Sequence, residues 1–394
     1  LQRQLFINNK LTKLHPVSCL SINDIEIDFL SNNLSMTPHD TIVLFESLKE
    51  IFPVEMIELD INNVFPENDK RLSLMDSKFY EDLLKKKLVY LKTNYPNKIK
   101  KLLSLYSIEE KTSEKNINLY TLFQEIKNKN LTPCIVFQEN PFNCKEIFTK
   151  LVGYLEKLEN LNHPYYYEDL EYRQAKYLDS IKELEKFKTT IKVGIKDKNA
   201  KMVVEDRMDS HKALLTKKFV EEFKLRLKKQ LDKIDKNNTI NNKIKLVQKN
   251  HIEKELGICN KYKLRYVDVF KKHDQFSLST YNPMSAEKIR EIKKTVSKKL
   301  GFDVSYTNVF MQGLKRGIGI YTKQMPSIYN LTVQRLSQNG ELGFVVADEQ
   351  LALGINMPFR SSCIIGYNNE NDFKTHNYLQ MIGRSGRRGK DREG

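Results

Sequence analysis

Four short apolar runs, separated by helix-patterned sequence, constrain this chain more than any other feature. They read PCIVF at 133–137, GIGIYT at 317–322, LGFVVA at 342–347 and SSCIIGY at 361–367. A polar loop and then CKEIFTKLVGYLEKL, apolar at helical spacing, follow the first run. Between the second and third lies SIYNLTVQRLSQNG at 327–340, a helix closed by Asn-Gly. Strands alternating with helices predict an α/β fold built on a doubly wound parallel sheet, whose ligands bind beyond the carboxyl ends of the strands.

A lysine-rich stretch, about residues 165–300, parts the first run from the other three. Its segment HKALLTKKFVEEFKLRLKKQLDKI at 211–234 has apolar residues at three- and four-residue steps, the pattern of an amphipathic helix with a basic outer face. The formal net charge of the chain is +16, and residues 181–300 alone hold 32 Lys and Arg against 16 Asp and Glu. The whole excess therefore sits in this one module. A field of one sign on a defined module points to a polyanionic partner, most often nucleic acid. The alternative is a solvated helical surface written in lysine. In the first third, PHDTIVLFESLKEIF at 38–52 and MDSKFYEDLLKKKLVYLKTNY at 75–95 predict helices, with no active-site pattern among them.

A chain of 394 residues exceeds one ordinary domain. No apolar run is long enough to span a bilayer, so no membrane partner is expected. Cys19, Cys134, Cys144, Cys259 and Cys363 are scattered, with no Cys-x-x-Cys pair and no cysteine–histidine ligand spacing. No metal site is predicted from them, and the pattern suits a reducing intracellular compartment, the cytoplasm by expectation. Residue 1 is Leu and no signal-peptide pattern follows, so the chain reads as a piece of something longer.

Two motifs carry charge. Asp348-Glu349 ends an apolar strand, as does the acidic pair that holds Mg²⁺ in nucleotide hydrolases. That role needs an upstream G-x-x-x-x-G-K-[ST] loop, which the sequence lacks, and the metal reading is set aside. QMIGRSGRRGK at 380–390 packs Arg384, Arg387, Arg388 and Lys390 among three glycines.

In chain order, PCIVFQENPFNCKEI, RGIGIYTKQMPSIYNLTVQRLSQNGEL, VVADEQLALGINMP at 345–358 and QMIGRSGRRG resemble motif IV, the segment leading to motif V, motif V and motif VI of superfamily 2 helicases. Those motifs belong to the second RecA-like domain of the family. LALGINMP is most similar to the superkiller-like branch of the DExD/H-box group, and LSMTPHDTIVLFESL at 34–48 resembles the antiviral relatives within it. The resemblance implies a RecA-like doubly wound parallel sheet with N-terminal connecting helices and a long basic helical insertion. Residues 1–130 would be the connecting region and 131–164 the first part of the RecA-like domain. Residues 165–300 would be the insertion, and 301–394 the remainder with motifs V and VI, cut short at its C-terminus.

The resemblance also implies a function: ATP-dependent unwinding of nucleic acid, RNA favoured over DNA. ATP and Mg²⁺ would be held mainly by a first RecA-like domain outside this chain. Arg384 and Arg387 would be the catalytic arginines, sharing one face of a helix with Gln380. Arg suits that role because it stays charged and grips oxygens as a fork. Gln380, Gly383, Gly354 and Asn356 would face the nucleotide; Gln138, Phe137, Gly319, Tyr321 and Asp348 would face the nucleic acid. Phe137 also reads as a buried strand residue, and Gly354 as a helix–loop turn. The chain departs from the family where Asp348 and Gln350 replace threonines and Tyr321-Thr322 replaces a histidine pair. A carboxylate at 348 would repel a phosphate. These departures leave open a degenerate, non-unwinding scaffold that binds nucleic acid, and an insertion that recruits a protein instead.

Overall fold

The computed structural model describes residues 4–7, 9–66, 72–107, 118–193, 200–279, 284–349, 357, 359–366 and 375–386. The chain divides into two compact units, the first running to Glu125 and the second starting at Ile126. No helix among the described residues is long and apolar enough to cross a membrane.

The first unit opens with an antiparallel hairpin of β1 (Gln4–Ile7) and β2 (Lys10–Lys13), turned through Asn9 at φ 60°. Asn tolerates this left-handed conformation better than most residues. Five helices follow: α1 (Ile27–Asn33), α2 (Pro38–Ile51), α3 (Ile61–Val64), α4 (Leu74–Asn94) and α5 (Pro96–Tyr106). Reciprocal capping boxes start α2 and α4, through Thr37 with Asp40 and Ser73 with Asp76. Each satisfies backbone amides that a helix start leaves without partners. Leu84, Leu88 and Leu91 form a stripe at four- and three-residue steps that joins one core with Leu44 and Leu48 of α2 and Ile99 of α5. The buried Glu81 lies 2.9 Å from Lys85 and 2.6 Å from Lys78.

The second unit holds a four-stranded sheet in the order β4-β5-β3-β6, every pair parallel. Its strands are β3 (Cys134–Phe137), β4 (Ile318–Tyr321), β5 (Phe344–Ala347) and β6 (Ser361–Ile364). All residues of β3 and β5 are buried, while β6 is half-buried throughout. Parallel strands covered on both faces need apolar side chains at every position. The two central strands are accordingly CIVF and FVVA, and the edge strand is free to carry Ser361 and Ser362. Helix α6 (Leu119–Asn128) precedes the sheet. Helices α7 (Pro141–Asn162) and α12 (Val309–Lys315) lie between β3 and β4, α13 (Ser327–Gln338) between β4 and β5, and α14 (Thr375–Ile382) follows β6. The end of α13 is set by Asn339 and by Gly340 at φ 70°.

The lysine-rich stretch is helical: α8 (Tyr166–Val193), α9 (Ala200–Lys236) and α10 (Asn242–Ile258), with α11 (Ala286–Leu300) beyond them. Helices α8 and α9 run antiparallel, since Asp169 meets Arg226, Tyr172 meets Phe223 and Phe187 stacks on His211. At 37 residues, α9 is about 55 Å long. Phe219, Phe223, Leu227 and Ile234 of α9 form a core with Ile252 of α10. Lys212, Lys217, Lys228, Lys229 and Lys233 lie on the exposed side.

The chain returns from these helices across the amino-terminal end of the sheet. Leu278 donates its amide to the carbonyl of Arg316 at 2.7 Å, just before β4. A Cβ on Gly343 would collide with the Leu278 carbonyl, and one on Gly317 with the Ser279 backbone. Glycine at both positions is what lets this crossing lie against the strands. A buried network fixes the same junction. Glu159 of α7 pairs with Arg316 at 2.5 Å, both fully buried. Its carboxylate also accepts from the Tyr167 hydroxyl and the His273 amide, each at 2.7 Å.

Candidate nucleotide and nucleic-acid faces of the sheet

Four chain segments emerge at the carboxyl end of the parallel sheet, and Gln138, Tyr321 and Asp348 gather there. Gln138 follows β3 and is nearly buried. Its side-chain amide donates to the Ile365 carbonyl at 3.1 Å, and its oxygen accepts from the Asn140 amide at 3.0 Å. It thus ties the exit of β3 to that of β6. Gly366, at φ 75°, passes so close that a Cβ there would collide with the Gln138 amide nitrogen. The gap beyond β3 and β6 is therefore filled by protein.

Asp348 follows β5 and is 3% exposed. Its carboxylate accepts from the amide of Lys323 at 2.8 Å, and its own amide donates to the Tyr321 carbonyl at 3.3 Å. The charge is directed at the loop after β4, not at open solvent. Thr322, its neighbour in that loop, is buried, while Tyr321 is half-exposed. Burial, with Asp348 alongside, raises the Tyr321 phenol above its ordinary range, so it stays a neutral donor. Phe137 is fully buried inside β3, and stacking on a base would require it to leave the sheet. Gly319 lies within β4, where a Cβ would press on Leu342 and Val333 at 2.9 Å; its small size serves packing at this position.

The Gly-Arg segment that resembles motif VI lies elsewhere. Helix α14 runs to Ile382, and the Ser362 hydroxyl of β6 donates to the Met381 carbonyl at 3.0 Å. Ser385 forms a parallel bridge with Phe359, just ahead of β6, and the Gly386 amide donates to the Phe359 carbonyl at 3.1 Å. Arg384 is thus beside the amino end of the edge strand, half-buried, with Gln380 and Gly383 exposed. The helix expected to carry Arg384 has already ended. Gly383 and Gly386 disfavour its continuation, and Gly386, at φ 94°, adopts a conformation that glycine alone takes readily. The structure thus sets Arg384 apart from the carboxyl-end group of Gln138, Tyr321 and Asp348, while the start of α14 stays near that end, the Asn377 side-chain amide donating to the Glu349 carboxylate at 3.4 Å. Arg387, Gly354 and Asn356 lie outside the described residues.

Two constellations had no counterpart in the sequence reading. One is the Glu159–Arg316 pair with Tyr167, whose members are up to 157 positions apart. The other is a cluster of His163, His251 and His273, whose nitrogens lie within 4.8 Å of one another. A short, regular ligand spacing would have betrayed either, and neither has one.

No family model matches the chain. Similarity to curated proteins covers about a fifth of it. Over 88 residues, 21% of this chain and 10% of the relative, it is 39% identical to "Probable helicase HelY" of Mycobacterium tuberculosis. Over 86 residues, 21% of this chain and 8% of the relative, it is 38% identical to the exosome RNA helicase MTR4 of Homo sapiens. A DExH-box ATP-dependent RNA helicase of Arabidopsis thaliana, DExH9, is 33% identical over 89 residues, 21% of this chain and 9% of that protein. The matched stretch spans no more than a tenth of each of these relatives. This similarity supports a relationship to the nucleic-acid helicases, on an α/β fold whose parallel sheet is compatible with a RecA-like domain.

Proposed function

We propose that this chain is the second RecA-like part of an ATP-dependent helicase of the superkiller-like branch, acting on RNA in preference to DNA. The similarity to nucleic-acid helicases over about a fifth of the chain, on a parallel sheet compatible with a RecA-like domain, carries the reading. Residues 383–386 return beside the amino end of β6, away from Gln138, Tyr321 and Asp348 at the carboxyl end. A motor that grips a strand with one face and completes a neighbour's nucleotide pocket with another needs two such separate surfaces.

The described residues do not make a triphosphate cradle. The carboxyl end of β3 and β6 is filled by Gln138, and Asp348 is engaged by the Lys323 amide. ATP and Mg²⁺ would therefore be held by another RecA-like domain, with Gln380, Gly383, Gly354 and Asn356 lining this side. Arg384 and Arg387 would bring fixed positive charge to phosphate oxygens that gain negative charge during transfer. Such arginines are worth about 10³ to 10⁵ in rate. An arginine supplied across an interface need not stand at its own sheet's carboxyl end. On the strand-facing side, Tyr321 offers a half-exposed neutral phenol. The lysines of α9, on the insertion that joins the domain at the amino-terminal end of the sheet, offer a separate surface for phosphates. Phe137, Gly319 and Asp348 then act from inside the sheet, shaping that surface instead of touching the strand.

The chain by itself is expected to release no phosphate from ATP, even with saturating RNA, in a phosphate-release assay. Turnover at ordinary helicase rates would show that the pocket is complete without a neighbour. A second reading, a helicase-like scaffold without unwinding, is favoured by Asp348 and by Tyr321-Thr322 in place of the histidine pair. It predicts that the full-length protein binds RNA yet hydrolyses no ATP.

A further inference from the structure

We propose that His163, His251 and His273 form a transition-metal site, suited to Zn²⁺, that clips the helical insertion to the sheet domain. The three residues come from separate parts of the second unit. His163 caps the end of α7, which packs on the sheet. His251 lies in α10, and His273 caps the short turn Asp274–Phe276 on the return to β4. One ligand nitrogen of each lies within 4.8 Å of the others. Zn–N bonds of about 2.0–2.1 Å in a tetrahedral site set ligand nitrogens roughly 3.3 Å apart. The cluster must therefore contract by up to about 1.5 Å, which imidazole rotation supplies. His163 and His273 now stack at 3.9 Å and 22°, and would splay to aim at one ion.

A second observation points to a ligand. His163 is 6% exposed, and its Nδ1 has no hydrogen-bond partner. Its Nε2 faces the side-chain oxygen of Gln275 at 3.3 Å. With the proton on Nε2 donated to Gln275, Nδ1 presents a bare lone pair. Metal-bound histidines are oriented in this way by an acceptor on the far nitrogen. A buried lone pair without a donor is otherwise a cost that a packed interior avoids. His273 uses its Nδ1 to accept from the Gln275 amide at 3.3 Å, and ligation through its other nitrogen gives up that long bond.

The surroundings suit a cation. A cavity of about 20 Å³ touches His163 and His251, with Glu255 also in its wall. That is room for one water or ion. A wider cavity of about 490 Å³ is bordered by His251, His273, Glu255 and Asp274, giving an entry path and space for a fourth ligand. No other group of three His, Cys, Asp or Glu able to hold a metal occurs among the described residues. This site is independent of the helicase reading and stands or falls without it.

The test uses full-length protein without a histidine tag, stripped by chelator and titrated with Co²⁺ and then Zn²⁺. One equivalent of Co²⁺ should bind with the visible absorption of a four-coordinate site, and Zn²⁺ should displace it. His251→Ala and His273→Ala should each weaken binding at least about tenfold with the circular dichroism unchanged, while His211→Ala leaves it as in the native protein. Should the variants lose their fold, X-ray absorption on the Zn²⁺-loaded native protein decides: imidazole scattering from three ligands supports the site. Absence of saturable binding, binding unaffected by His251→Ala, or a zinc shell without imidazoles overturns it.

Discussion

Replacing Arg316 with Met should be among the most damaging single changes in the second unit. The guanidinium and the Glu159 carboxylate are both fully buried, 2.5 Å apart. Arg316 also donates to the Phe276 carbonyl at 3.1 Å, holding the return segment against the sheet. Arg316→Met removes the only opposing charge within 3 Å of that carboxylate among the described residues, since Lys272 stands 4.0 Å away. Two donors remain, the Tyr167 hydroxyl and the His273 amide, but both are neutral. Breaking a buried pair while leaving one charge behind costs about 3–5 kcal/mol. For a unit of this size each kcal/mol moves Tm by about 2–4 °C, giving a loss of roughly 6–20 °C by calorimetry. Adding Glu159→Gln to Arg316→Met removes the stranded charge while keeping an acceptor, and should recover a large part of the loss. A shift below about 2 °C for the single variant, or no recovery in the double, would refute this account of the junction.

Gly343→Ala should destabilise the same unit by several kcal/mol, on the order of an overpacked core or more, because the new methyl meets backbone that cannot rotate away; urea denaturation measures this. Lys228→Glu with Lys229→Glu on α9 should weaken single-stranded RNA binding without altering the fold. The log-log salt slope should become shallower by up to about 1.4, which fluorescence anisotropy across a salt series would reveal; an unchanged slope would locate the RNA elsewhere. At pH 8 a thiol reagent should modify the exposed Cys19 first. Cys144, raised to about 12 by burial, and Cys134, whose thiol burial likewise pushes up, should react only on unfolding, and early labelling of either by mass spectrometry would contradict their placement.

The parallel sheet was legible because its physics is local. Strands covered on both faces must be apolar throughout, so CIVF and FVVA stand out in the chain itself. The spans of α2 and α4 follow from helical spacing, while the capping boxes that set their starts begin at Thr37 and Ser73, just ahead of the predicted runs. The site was harder to read because its determinants are contacts between distant segments. Asp348 looks like a charge offered to a phosphate until Lys323, on another loop, is seen to engage it. Arg384 looks helical until Ser385 is found paired with Phe359. Nothing in the spacing of His163, His251 and His273 signals their convergence.

The central claim, a cation delivered to a neighbour's nucleotide, is tested most directly by Arg387→Ala in the full-length protein. ATP turnover and ATP affinity should be measured together with saturating RNA. Loss of about 10³-fold or more in kcat, with the affinity for ATP within a few-fold of native, is the predicted result. Turnover persisting within a few-fold of native would contradict it.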